Sequence, residues 1–289
     1  MTASGAGPVP ASGDETVRLR LDLSYDGTDF AGWAVQPGLR TVAGVLLEAL
    51  HHLVGPGEVG GLTVAGRTDA GVHATGQVCH VDLARPRWDG LRDSILRRLA
   101  ALLPPDVRVH AVTAVPPEFD ARFSALWRRY QYRVSDAPEG APPLRRRDTL
   151  AWRRPLDVAA LNAAAEPLLG EHDFAAYCRR KENASTIRAL TELVWRRDPD
   201  GIVVATVTAD AFCQAMVRSL VGALLAVGDG RRPVDWPGSL LQRRERAGEV
   251  AVAPPHGLTL VAVGYPDDPA EYASRAAFTR RRRDQAVSA

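Results

Sequence analysis

One lysine (Lys181), three cysteines and no long apolar run are the main scarcities of this 289-residue chain, and each removes a class of protein. Cys79, Cys178 and Cys213 are odd in number, lie far apart and form no C-x-x-C pair, so neither a disulfide framework nor a structural zinc site is suggested. A reducing, cytoplasmic setting follows from that usage. No uncharged stretch reaches the ~20 apolar residues of a membrane span, and the opening MTASGAGPVPASGDE lacks the basic start and apolar core of a signal peptide. The expectation is therefore a protein without membrane attachment. The 36 Lys+Arg against 34 Asp+Glu leave a net charge of +2, which by itself points to no acidic partner. Because nearly all of the cations are arginines, whose planar forks suit phosphates and stack on bases, their placement matters more than their number.

At ~100–200 residues per domain, the length fits one large domain or two modest ones. Residues 1–15 and 266–289 read as disordered tails, the second carrying the run Arg280–Arg283. Between them, Val17–Tyr25 alternates as a half-buried strand, and Thr41–Val54 repeats its apolar residues at helical spacing behind a Thr41 cap. Further strands at Leu62–Ala65, Gln77–Leu83 and Val107–Val115, with a helix through Leu91–Leu102, complete a first unit over 16–118. A second unit over 119–265 holds strands at Leu126–Val134, Leu190–Arg197, Ile202–Thr208 and Leu258–Val263, and helices near Asp157–Leu168, Phe212–Val227 and Gly238–Ala247. Too few helices separate the strands for a doubly wound parallel fold, so a largely antiparallel α+β sheet with helices on one face is expected. The opposite face would then be open to a ligand.

The stretch Gly66-Arg67-Thr68-Asp69-Ala70-Gly71-Val72-His73-Ala74-Thr75-Gly76-Gln77 is the most unusual in the chain. Its glycines permit backbone conformations closed to other residues, which lets a loop hold a side chain at a cleft edge. Asp69 follows Arg67 by two residues. If the side chains meet, the cation favours the ionised carboxylate, a group able to act as nucleophile or electrostatic stabiliser; an Asp turn residue with a surface ion pair is the plainer alternative. A metal site from His73, His80 and Cys79 lacks ligand spacing, since Cys79 and His80 should face opposite sides of a strand.

GRTDAGVHATGQV, together with ARFSALWRRYQYRV and MVRSLVGALLAVG, resembles the tRNA pseudouridine synthase A family, and the match runs in order from Leu23 to the GLTLVAVGYP at Gly257. The resemblance implies two RNA-recognition-like (ferredoxin-like) α/β halves with joined, mostly antiparallel sheets and a central cleft, working as a homodimer without cofactor or metal. It implies a tRNA substrate, with uridines of the anticodon stem-loop at nucleotides 38, 39 and 40 isomerised. Asp69 maps to the nucleophile, Arg67 to its partner and Tyr130 to the residue contacting the base. Arg218, which interrupts an apolar helix and so needs an anionic partner, maps to an arginine facing the active site, and Leu258 to an apolar pocket residue. The chain departs from the family's usual pattern at Ala34 and Ala43, where glutamines are common.

Residues 120–154 hold nine arginines against four acids, so the near-neutral total conceals a basic segment beside Tyr130. Arg128, Arg145, Arg146 and Arg147 are the candidates there for RNA backbone contacts, with a solvated charged loop as the alternative. Two rival readings remain: a tRNA-binding, chaperone-like protein without turnover, and a metal-dependent hydrolase using Asp69, His73 and His80.

Overall fold

A computed structural model describes residues 16–179 and 185–288, with side chains to 281. The tail expected over 1–15 lies outside the described residues. The chain is mixed α+β, its strands are mostly antiparallel, and it divides into two compact units, Met1–Ala125 with Tyr265–Thr279 and Leu126–Gly264 with Arg280–Ala289.

In the first unit, β1 (Thr16–Tyr25) buries Val17, Leu19, Leu21, Leu23 and Tyr25, as its alternation dictates. Helix α1 (Val42–Val54) starts where the Thr41 hydroxyl accepts the Gly44 N–H, 3.2 Å, and stops at Gly55, whose φ of 96° is open to glycine. It is followed by β2 (Thr63–Val64), β3 (His73–Ala84), α2 (Arg85–Leu91), α3 (Ile95–Leu102) and β4 (Val107–Val115). β1 lies between β3 and β4, antiparallel to both. Two expectations change here. The strand expected at Gln77 begins at His73, so the end of the Gly-rich stretch is sheet; and the helix expected over Leu91–Leu102 is broken between α2 and α3.

The second unit contains β5 (Trp127–Ser135), β6 (Leu150–Ala151), α4 (Val158–Ala165), β7 (Gly170–Asp173), β8 (Ile187–Arg197), β9 (Val203–Ala209), α5 (Met216–Gly228), α6 (Trp236–Ser239) and β10 (Leu258–Gly264). Its strands run in the order β10-β5-β9-β8-β7, all neighbours antiparallel, with β6 added in parallel to β5. Tyr130, Tyr132 and Val134 of β5 point to the buried face, while Trp127, Arg129, Gln131 and Arg133 stay half-exposed on the other. Asn162 of α4 fastens helix to sheet by donating to the Trp195 carbonyl, 2.9 Å, and accepting its N–H, 2.8 Å. The helix expected from Phe212 starts at Met216, because Ala215 takes a left-handed φ of 63°.

The boundary between units falls after Ala125 and not at 118. Phe119 is fully buried in the first unit, edge-on to His80 and Tyr272, and Ala121 donates its N–H to His80 Nδ1, 3.0 Å. The same contacts overturn the disordered tail expected over 266–289. Tyr272 and Ala276 are buried, and from Glu271 to Ser288 the backbone is a helix, α7. Aromatic anchoring supplies the burial that an Arg/Ala-rich segment would otherwise lack.

The cysteine reading also needs correction. Cys178 and Cys213 form a disulfide with Cα atoms 5.7 Å apart, inside the range such a bridge requires. The β8–β9 hairpin returns the chain to the turn it left, which brings together residues 35 apart in sequence. Cys79 is buried and free, and burial pushes its thiol well above the usual range.

Candidate active site

Asp69 sits in a loop that two other segments of the first unit hold from behind. Trp33 donates its N–H to the Thr68 carbonyl, 3.1 Å, and Gly71 donates to the Phe30 carbonyl, 3.2 Å. The turn Asp26–Trp33 therefore lies against the loop, and its glycines are obligatory: a Cβ on Gly27 would run into the Val72 carbonyl, and one on Gly32 would come within 2.9 Å of the Thr68 carbonyl. On the inner side, the buried Thr68 hydroxyl meets the Tyr25 hydroxyl at 2.8 Å. Gln77, fully buried, donates from Nε2 to the Tyr25 hydroxyl, 3.1 Å, and to the Gly66 carbonyl, 2.9 Å. These groups satisfy one another and fix both ends of the segment 66–72.

Within this frame Asp69 is half-buried and Arg67 exposed. The chain enters a turn at Asp69, whose carbonyl accepts the Val72 N–H at 3.2 Å. The histidines are occupied structurally. His73 Nδ1 accepts the Gly27 N–H, 3.0 Å, and lies 3.2 Å from Asp26; His80 Nδ1 accepts from Ala121, and burial, helped by the charge of Arg18, lowers its pKa to about 4. Among the described residues, no cluster of histidine, cysteine, aspartate and glutamate could hold a metal ion.

The second unit gathers three other candidates around Tyr132. Tyr130 is two residues away on the same buried face, 7% exposed, with its ring edge-to-face on Phe212 at 5.2 Å and 87°. Leu258 is the cross-strand partner of Tyr132 and is buried. Arg218, in the first turn of α5, is close enough for its charge to act on the Tyr132 hydroxyl, whose pKa burial pushes up. Its Nε donates to the Ala253 carbonyl, 2.7 Å, and its own carbonyl accepts the Ala253 N–H, 3.0 Å, so helix and following segment are locked at one residue. Tyr132 adds a bond to the next carbonyl, that of Pro254, 2.8 Å. Tyr130 thus lies on the helix-covered side of its sheet and not on the open one.

The arginines divide. Arg128 is 7% exposed and donates from Nη1 to the Asp210 carbonyl, 2.8 Å, so its guanidinium faces protein. Arg145 is held by Asp148 at 3.0 Å, which raises its pKa. Arg146 and Arg147 are exposed on the same loop.

Residues that the sequence reading passed over are the supports: Tyr25, Gln77, the Asp26–Trp33 turn, Phe212 and the Ala253–Pro254 segment. Nothing local in the stretch DGTDFAGW says which loop that turn carries.

Comparison with known proteins bears directly on these motifs. A family model described as tRNA pseudouridine synthase matches residues 164–266. A tRNA pseudouridine synthase A from Frankia casuarinae is 61% identical over 267 residues, covering 92% of this chain and 96% of its own. Those from Streptomyces griseus, at 56% identity with 91% and 93% covered, and Mycobacterium leprae, at 52% with 94% and 97% covered, are similar over the same extent. With identities this high over almost the whole length, the chain belongs to the tRNA pseudouridine synthase A family.

Proposed function

We propose that the protein isomerises uridine to pseudouridine in tRNA, with Asp69 as the nucleophilic carboxylate. The observation that carries this reading is the loop 66–72: backbone bonds to one segment and a buried Tyr25–Thr68–Gln77 network on the other side hold a half-buried carboxylate in one place. Such preorganisation is what a reaction at a fixed carbon demands.

The chemistry is redox-neutral and leaves the composition unchanged: the N1–C1′ bond breaks, the uracil turns, C5 bonds to C1′ and then loses its proton to solvent, and N1 takes up a proton in exchange. The reading therefore names no cofactor and no metal. Asp69 attacks the nucleoside or stabilises it as the glycosidic bond opens. Tyr130 packs against the uracil and assists proton removal at C5, Leu258 lines the base pocket, and Arg218 supplies a cation for a phosphate. Arg67, exposed on the catalytic loop, engages the incoming nucleotide, and Arg146 and Arg147 contact the RNA backbone. A stacked uridine must be extruded to be reached. The targets are uridines 38, 39 and 40 of the anticodon arm, and the enzyme works in the cytoplasm as a homodimer of chains built from two RNA-recognition-like halves. Among the described residues, no helix is long and apolar enough to cross a membrane.

The test is release of tritium from C5-labelled uridine in tRNA by wild type and Asp69→Asn, with and without chelator. Release by wild type with chelator present, and none by Asp69→Asn, is the expected result. Wild type that binds tRNA without releasing label would overturn the reading in favour of a binding protein, and loss of release on chelation would overturn it in favour of metal chemistry.

A further inference from the structure

The loop joining β9 to α5 carries Phe212, and Phe212 is the ring against which Tyr130 rests. This loop is held in an unfavourable shape. Ala215 has a φ of 63°, and among the described residues it is the one non-glycine with a positive φ. Such a conformation persists only where surroundings impose it. Residues 211–215 are all half-buried, so the loop has no deep apolar anchor of its own.

Two fastenings make up for this. At the front, the Asp210 carboxylate accepts the N–H groups of Ala189, 3.0 Å, and Ala211, 2.8 Å, while its carbonyl accepts Arg128. At the back, the residue after Phe212 is Cys213, bridged to Cys178, which is fully buried. The neighbouring Arg179 N–H donates to the Gln214 carbonyl, 2.9 Å. The disulfide is thus the covalent tie between a half-buried loop and the core, one residue from the ring that supports Tyr130.

We infer that Phe212 is a positioning residue for Tyr130, and that the Cys178–Cys213 bridge is a redox-sensitive clamp that keeps Phe212 in place. The inference rests on the reading that Tyr130 acts at the target base. The clamp opens by thiol–disulfide exchange with a dithiol reductant. One thiolate of the reductant attacks the half-buried Cys213 sulfur, Cys178 leaves as a thiolate, and the second thiol resolves the mixed disulfide. The dithiol is oxidised to its cyclic disulfide, and two electrons and two protons pass to the cysteine pair. The freed loop keeps its Asp210 fastening but loses the covalent constraint on Phe212 and Ala215.

The experiment compares tritium release by oxidised wild type, wild type reduced with dithiothreitol, a Cys178→Ser/Cys213→Ser variant, Phe212→Ala and Phe212→Tyr, with thiol titration to fix the state of the bridge. Phe212→Ala should lower kcat by about two- to tenfold, the worth of an edge-to-face ring contact, with KM for tRNA unchanged; Phe212→Tyr should restore it. Reduction, or loss of both cysteines, should lower kcat in the same way, and dithiothreitol should have no further effect in Phe212→Ala. Equal kcat in oxidised and reduced wild type overturns the clamp. Equal losses in Phe212→Ala and Phe212→Tyr, or a fall in KM and kcat that follows melting temperature alone, overturn the positioning role. If Tyr130→Ala retains full turnover, it is the parent reading that fails, since no group at the base then needs positioning.

Discussion

Removing one oxygen, in Tyr25→Phe, should loosen the catalytic loop without disturbing the packing around it. The ring keeps its place against Trp33, centroids 6.1 Å apart, but the hydroxyl that joins Thr68 Oγ1 to Gln77 Nε2 is gone. Gln77 retains its bond to the Gly66 carbonyl, so one of its N–H groups and the Thr68 hydroxyl lose this partner inside the protein. Two neutral hydrogen bonds at ~1 kcal/mol net each, with part of the penalty for buried groups left unsatisfied, give about 2–3 kcal/mol. At roughly 2–4 °C per kcal/mol for units of this size, the midpoint of thermal unfolding should fall by ~4–12 °C. Because the bonds lost are those that fix Thr68, the residue before Asp69, kcat for tritium release should fall as well, while tRNA affinity is kept. Thr68→Val removes the other end of the same bond, so the double variant should cost clearly less than the two single ones added. A change in stability below about 0.5 kcal/mol, the range of an ordinary surface substitution, with kcat intact, or strict additivity in the cycle, would refute the idea that this network holds the loop.

Tyr130→Phe should bind tRNA normally and turn over slowly, and unfolding of that variant would show that its hydroxyl serves the core instead. His80 ties stability to pH: its folded pKa of about 4 lies below the unfolded value near 6.5, so the unfolded chain binds the extra proton between those limits. Stability should therefore be complete above pH 6.5 and fall as the pH drops toward 4, by up to roughly 3 kcal/mol at ~1.4 kcal/mol per unit; urea unfolding at several pH values should show the slope in wild type and a flatter one in His80→Gln. The double variant Arg146→Gln/Arg147→Gln should weaken tRNA binding and reduce the slope of log affinity against log salt by about 1.5, the share of two phosphate contacts. An unchanged salt slope, measured by filter binding, would return these arginines to a solvated loop.

Alternation and cap chemistry made β1 and α1 readable almost to the residue, since both are properties of a single segment. What they leave out is the partner. Gly27 must be glycine because of Val72, 45 positions later, and Tyr25 bonds to Thr68 and Gln77 across 43 and 52 residues. No local period reports such approaches, yet they make the Asp26–Trp33 turn the backing of the Asp69 loop. The family motif singles out Asp69 and Arg67 but says nothing of the segments that hold their loop. Cys178 and Cys213 lie 35 residues apart in sequence, yet the hairpin between them makes that spacing irrelevant. Tyr130 combines the two levels: its buried side of β5 follows from alternation alone, and burial is equally what a core residue shows. A side chain that must grip an extruded base needs that same enclosure, so here burial does not argue against a functional role, and its edge-to-face contact with Phe212 is the feature that turns the question into an experiment.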